Sequence, residues 1–438
     1  MRVIAQSVVA GAVLLVLSHG ALAYDFDGTR SGEYLVGDPP DVQLAAGPNH
    51  LVELVNSRMR VFLKNPLGEM ASTVDLGTLL GCPGPFDPRV RYDAQAQRWY
   101  ISAARFGSQD SRVCFAVSRT PDPTGPFIQY QFVIDPTVFP DFDTLGYNDD
   151  KVIVEFNRVP VEGASPPIAQ TGVELWILNK ADLLAGGPVR SQSVFPGTFV
   201  MPATTLSSNT TLYLENLEET RIVLMSVTGV PGVGGGAVVT TLPTLPFSAN
   251  FVAPSSPQKN SDNLLYTVGS IRDVVYRNGK MWASATSACT PSGDTQTRCC
   301  LRLVELNDNG AGSFSIAQDI EYSQANTYYF YPAIGVDATD ALVVGFGASS
   351  STIYPSFYAT GRKATEPVNT LHGPTRVAAG QAPYGVNCLL FGMPLCRWGD
   401  YFGAAVDPVD SHTIWIAGEY AAYPTPTWST RIEQVSTN

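Results

Sequence analysis

The chain has 438 residues, with 27 Lys plus Arg against 39 Asp plus Glu and a formal net charge of −12. Charged residues make up only 15% of positions, against roughly 25% in an average soluble domain. An acidic chain with no basic cluster repels phosphate backbones, which excludes nucleic acid as a partner, and 45% hydrophobic with 10% aromatic residues exclude a disordered polymer.

In chain order, residues 1–23 read as a secretory signal. Arg2 is the basic start, Ser7 to Leu17 the apolar stretch, and Ala21-Leu22-Ala23 the small-x-small cleavage site, so the mature chain is expected to begin at Tyr24. The apolar run is too short to span hydrocarbon, and no later window is long and apolar enough for a membrane span. The expected location is secreted, periplasmic or cell-surface.

From there one pattern recurs: an apolar triplet, a turn of Asn, Asp, Gly, Ser or Pro, then an apolar strand. Ala45-Ala46-Gly47 leads to Leu51–Val55, Val90-Arg91-Tyr92 to Arg98–Ile101, and Leu145-Gly146-Tyr147 to Val152–Phe156. Thr204-Thr205-Leu206 leads to Leu212–Leu214, Val274-Val275-Tyr276 to Met281–Ala283, Ile334-Gly335-Val336 to Ala341–Val344, and Ala404-Ala405-Val406 to Ile414–Ala417. Each copy is a β-hairpin signature, clearest at Asn278-Gly279, where both residues accept the positive φ of a type I′ turn.

The copies begin at 45, 90, 145, 204, 274, 334 and 404, a spacing that suits one four-stranded sheet plus a variable loop. Second strand pairs follow the hairpins, as at Val113–Val117 with Phe127–Ile134. Helical periodicity is nearly absent; Asn179–Leu184 is expected to form one capped turn. The expected fold is all-β, a single β-propeller of seven four-stranded blades over residues 24–438. Tandem β-sandwiches would need boundaries every ~100 residues. Ring closure requires an N-terminal strand in the last blade, and Gly32–Val36 is placed to supply it.

Seven Cys in an exported chain suggest disulfides with one thiol left over. Sequence-local pairs close most easily: Cys82 with Cys114, Cys289 with Cys299 or Cys300, and Cys388 with Cys396. The adjacent Cys pair without a nearby His is a poor zinc site, and no C-x-x-C motif suggests redox catalysis.

Several segments resemble a family of uncharacterised exported bacterial proteins. They are Asp87-Pro88-Arg89-Val90-Arg91-Tyr92-Asp93 with Arg98-Trp99, Ala116-Val117-Ser118-Arg119-Thr120-Pro121-Asp122-Pro123-Thr124-Gly125, and Tyr354–Tyr358 with Gly361-Arg362. Arg397-Trp398-Gly399-Asp400-Tyr401 followed by Asp407-Pro408, Trp415 and Glu419-Tyr420 completes the set. The resemblance implies a secreted propeller of sialidase-like shape and carries no established activity.

In a propeller, ligands sit at the axis, lined by inter-blade loops and the first residues of inner strands. Asp400 and Glu419 with Tyr401 and Tyr420 are the candidate catalytic groups, since a glycosidase needs two carboxylates. Arg89, Arg158, Arg272 and Arg397 are candidates to hold a substrate carboxylate. Tyr329 and Tyr331, in the aromatic run Tyr328–Tyr331 read as a loop, and the segment Tyr420–Trp428 are candidates for sugar stacking. Asp141, Asp143 and Asp149 are candidate ligands for a calcium ion, although no EF-hand spacing is present. No other cofactor is expected.

The sialidase comparison lacks the full S-x-D-x-G-x-x-W turn, and no nucleophile elbow occurs. The first functional reading is therefore a non-catalytic binder of an extracellular glycan or protein. The alternatives are a sialidase-like glycoside hydrolase or lyase and a structural surface or envelope protein. Oligomeric state is not legible.

Overall fold

In a computed structural model of the chain, the described residues are 25–31, 38–107, 110–161, 172–424 and 427–438. The signal segment and Gly32–Val36 lie outside them. Among the described residues most strands fall into four-stranded antiparallel runs, in chain order from the first strand outward except in the last, whose outermost strand is the N-terminal Asp25–Arg30. Two of the runs are joined into one nine-stranded sheet, and Leu264–Tyr266 pairs in parallel with Leu395–Arg397. The runs begin at Gln43–Ala46, Phe86–Asp93, Val138–Tyr147, Met201–Pro202, Ser270–Arg277, Tyr328–Val336 and Gly403–Val406.

These first strands touch one another in cyclic order, the seventh returning to the first. Five of the seven repeat triplets lie wholly on them, and the first runs one residue past its strand. The fourth, Thr204-Thr205-Leu206, begins as a two-residue strand that pairs in parallel with both Tyr147 and Val275, so it joins the third blade to the fifth at the axis. Sheets stacked in a ring about an axis are a β-propeller.

The hairpins form as their turn residues dictate. Arg277 pairs with Lys280 across Asn278 (φ 51°) and Gly279 (φ 77°), the left-handed pair expected there. The capped turn also forms: the helix Lys180–Ala185 has Asn179 accepting from the Asp182 amide and ends at Gly186.

The apolar core is divided among the interfaces between neighbouring sheets. Leu54 and Val61 of the first unit meet Trp99 and Ile101 of the second, and Trp282 and Leu303 of the fifth meet Ile334 and Val344 of the sixth. The seventh and first share Trp415, Ile432, Leu44 and Leu51. A scarcity of charge follows, because both faces of most strands are buried. Tyr328–Tyr331 corrects the sequence reading: these residues are not a loop but the start of a fully buried strand, Tyr328–Val336.

The strand that closes the ring is Asp25–Arg30, antiparallel to Thr427–Ser436 with Asp25 opposite Glu433 and Phe26 opposite Ile432. It is pinned from the first blade: Thr29 Oγ1 donates to Glu53 Oε2 (2.7 Å) and Thr430 Oγ1 to Glu53 Oε1 (2.5 Å).

Disulfides join Cys82–Cys114, Cys289–Cys300 and Cys388–Cys396, and Cys299 is free and buried. Strand alternation decides between the adjacent cysteines. Cys289 lies opposite Arg298, so Cys300, two residues on, shares its face, while Cys299 points the other way and donates to the Pro254 carbonyl at 2.9 Å.

Candidate functional site

Where the first strands meet at the axis, one side chain ties several blades together. Arg91, on the second blade, donates through Nε to Thr204 Oγ1 (2.8 Å) and through Nη1 to Gln43 Oε1 (2.9 Å). Its Nη2 reaches Asp273 Oδ1 at 3.5 Å. Gln43 in turn donates to the Phe402 carbonyl and Asp273 accepts the Ile334 amide, so blades one, two, five, six and seven, with the Thr204 segment, are tied through one network. A void of about 50 Å³ surrounds it.

On one side of this crossing by Arg91, the starts of the first strands and their lead-in loops gather most of the residues singled out from the sequence. The Arg89 guanidinium lies 3.5 Å from the Tyr401 ring centroid and 5.0 Å from that of Phe142. Arg272 lies 5.3 Å from Phe142 and 4.9 Å from Tyr331. Arg397 Nη2 pairs with Asp400 Oδ2 at 2.5 Å, and the Asp400 amide donates to Asp41.

Asn56 ties the Asp41 carboxyl to the Asp87 backbone there, donating to Asp41 Oδ2 and accepting from the Asp87 amide. Burial, then the nearby Asp400 and Asp141 charges, pushes the Asp87 carboxyl up to about 7. Burial lifts Asp143 to about 8 against the pull of Arg89, and holds Asp41 well above the usual carboxylate range.

Glu419 borders this cluster but is only 1% exposed, its carboxylate against Gly399, and burial followed by Asp41 and Asp400 raises it well above its ordinary value. The pair Asp400 and Glu419 is therefore not displayed together on an open funnel. Tyr401 is equally buried, with its hydroxyl donating to the Pro88 carbonyl at 3.2 Å.

The other sequence candidates lie elsewhere. Arg158 pairs with Glu174 on the third blade. Tyr329 packs against Tyr322 and Phe346 between the fifth and sixth blades, where a sugar has no access. Tyr420 donates to Asp27 of the closing strand at 3.2 Å.

Asp141, Asp143 and Asp149 do not share a site. Asp143 accepts from Ser102, Asp141 faces the Asp400 cluster, and Asp149 lies beyond the crossing, where it accepts from Ser208. The irregularity at Phe142 (φ 53°), where the register shifts between Asp141 and Thr144, turns the first two apart, and the whole inner strand separates the third. Among the described residues no three His, Cys, Asp or Glu are grouped to hold a metal ion.

On the opposite side, where the first strands end in their hairpin turns, lies a cavity of about 390 Å³. Its wall carries Tyr92, Asp93 and Gln95 of the second blade, Tyr147 to Asp149 of the third, and Leu206 to Ser208. Arg277 of the fifth blade and Asp407, Pro408 and Ser411 of the seventh complete it.

Two of its carboxylates are fully engaged. Asp93 accepts from Lys180 Nζ (2.5 Å) and the Gln95 and Ala96 amides. Asp407 accepts from Lys64 Nζ (2.6 Å) and Trp415 Nε1 (2.8 Å), partners that hold it below the usual carboxylate range despite burial.

Sequence reasoning reached this cup only through Asp149. The available signal was the turns themselves, since Asp93, Asn148, Ser207, Ser208 and Asp407 all stand in the turn of a repeat.

No protein-family model matches the chain, and no curated protein matches it in sequence. Solved structures resemble it distantly. A Synechocystis apocarotenoid oxygenase shares 10% identity over 81% of this chain and 79% of its own, with a TM-score of 0.42. The extracellular domains of Drosophila semaphorin 1b share 8% over 96% and 87%, with a TM-score of 0.42. A polysaccharide lyase, an ulvan lyase, shares 10% over 78% and 90%, with a TM-score of 0.36. Likeness at this level carries no argument about function. Among the described residues no helix is long and apolar enough to cross a membrane.

Proposed function

We propose that the chain is an extracellular, non-catalytic glycan-binding propeller that seats one sugar unit in the cup at the turn end of its axis. The observation that carries this reading is the cavity itself. At about 390 Å³ it falls within the roughly 300–1,000 Å³ of small-ligand sites. Its wall sets the Ser207, Ser208 and Ser411 hydroxyls beside the apolar faces of Tyr92, Leu206 and Pro408. Sugars present the same mixture, hydroxyl edges around C–H faces. Asp93 and Asp407 are tied to lysines, so neither is presented as a free acid or base. Three disulfides support an oxidising, extracellular setting.

The test is a glycan array followed by calorimetric titration of the purified mature chain, with Ser411→Trp to fill the cup. Saccharide binding that Ser411→Trp abolishes supports the reading; no binding to any saccharide, or binding untouched by Ser411→Trp, ends it.

A second reading is a glycoside hydrolase or lyase at the other end of the axis. Asp87, lifted to about 7 beside Asp400 and Asp141, favours it, because a carboxyl poised near neutrality suits proton transfer. Turnover of neutral or uronate-containing polysaccharides that Asp400→Asn abolishes would establish it. No turnover would remove it.

A further inference from the structure

Resting on the cup as the binding site, we infer that Arg277 makes it selective for sugars bearing a carboxylate, that is, for uronate units. Arg277 is the last residue of the strand Ser270–Arg277, just before the Asn278-Gly279 turn, and its half-buried side chain forms part of the cavity wall. Nη1 donates to the Val336 carbonyl at 3.0 Å, which fixes the guanidinium in place and leaves most of its five donors uncommitted to that bond.

Among the described residues no carboxylate stands within ion-pair distance of Arg277. The acids whose charges act on Arg277 are held by others: Asp337 accepts from Thr339 and the Ala341 amide, and Asp340 pairs with Lys280 at 3.1 Å.

Two carboxylates of the cup are answered from within the protein: Lys180 neutralises Asp93 and Lys64 neutralises Asp407. Asp149, at the rim, accepts from the neutral Ser208 hydroxyl at 2.6 Å. Apart from the Asp149 carboxylate at the rim, the wall offers an incoming ligand one partly desolvated cation without an ion-pair partner, beside Ser207 and Ser411. Burial already pulls the Arg277 guanidinium below its ordinary value, against the more distant Asp337 and Asp340.

A planar carboxylate accepting two parallel N–H bonds relieves that cost, and the guanidinium fork matches its geometry where an ammonium does not. A neutral hexose fills the same hydroxyl positions and leaves the cation unanswered. The chain carries a net negative charge, so this preference is local and not a result of overall electrostatic attraction.

The experiment is calorimetric titration with glucuronate, galacturonate, glucose and a sulfated hexose, each on the wild-type mature chain, Arg277→Gln, Arg277→Lys and Ser411→Trp. Uronates are expected to bind ~10- to 100-fold more tightly than glucose. Arg277→Gln should abolish that ratio by weakening uronate binding, and a melting temperature matching the wild type shows that the variant is folded. Arg277→Lys should keep only part of the ratio.

Equal affinity for glucuronate and glucose, an unchanged ratio in Arg277→Gln, or preference for the sulfated hexose over both uronates overturns the inference while the cup reading stands. Absence of all saccharide binding, or indifference to Ser411→Trp, overturns the cup reading itself.

Discussion

Arg91 and Asp273 meet across the axis of the ring, 3.5 Å apart, from blades separated by 182 positions in the chain. Both side chains are mostly buried, at 15% and 12% exposure. Burial pulls the guanidinium down and pushes the carboxyl up, and each opposes the shift of the other. Arg91→Met removes the hub and leaves Asp273 Oδ1, Gln43 Oε1 and Thr204 Oγ1 short of a donor. Breaking a buried charged pair from one side is expected to cost about 3 kcal/mol. Urea unfolding measures it; Asp273→Asn on top should cost little more, because the interaction is already gone. A loss within about 0.5 kcal/mol, the range of an ordinary surface substitution, would show that the crossing does not hold the blades.

Deleting residues 25–31 exposes the ladder edge of Thr427–Ser436 and strips Glu53 of Thr29. An open strand edge invites pairing between chains. The expected outcome is a lower melting temperature with self-association on size-exclusion chromatography. A monomer of unchanged melting temperature would show that the closing strand is dispensable.

Disulfide loss should scale with the loop closed. Cys82–Cys114 spans 32 positions and Cys388–Cys396 only 8. On chain entropy alone, Cys82→Ser with Cys114→Ser is expected to cost about 3.5 kcal/mol, about 1 kcal/mol more than the corresponding change at 388 and 396. Paired denaturation curves test the order. Cys299, whose thiol burial pushes up to about 11, should be unreactive to a thiol reagent in the folded chain and titrate as one thiol after unfolding.

Stability should fall as pH rises through neutrality. Asp87 is lifted to about 7 and Asp143 to about 8, both chiefly by burial. The folded chain therefore holds protons that the unfolded chain has released above about pH 4. Each group stabilises fully below that point and loses its contribution as pH climbs to 7 or 8. For Asp87 the span is on the order of 4 kcal/mol. Asp337 and Asp407, held below their ordinary values, act in the opposite sense and weaken the fold only as pH falls below about 4. Melting temperatures from pH 4 to 8 should decline, and Asp87→Asn, which keeps an acceptor for the Phe142 amide, should flatten the decline. A rise across that range would contradict it.

Much of the architecture was legible because it is local. A hairpin depends on two adjacent turn residues and on alternation along contiguous strands, so Asn278-Gly279 and the Asn179 cap could be read directly, and seven repeats implied a ring. Alternation also fixes which of Cys299 and Cys300 can reach Cys289, once the register is known. Even the gathering of Arg89, Arg272, Arg397 and Asp400 at one end follows from their common position near the start of an inner strand.

Which side chains point into a cavity and which into a neighbouring sheet was settled only in three dimensions. Glu419 and Tyr329 read as polar or aromatic groups beside the axis, yet each lies within a strand whose two faces are both covered. The sequence by itself determined most of the hairpins, their turns and the ring they make. The tertiary structure decided where space remains, because Arg277, Ser207, Ser411 and Tyr92 come from strand ends and turns far apart in the chain and share a cup only once the ring is closed.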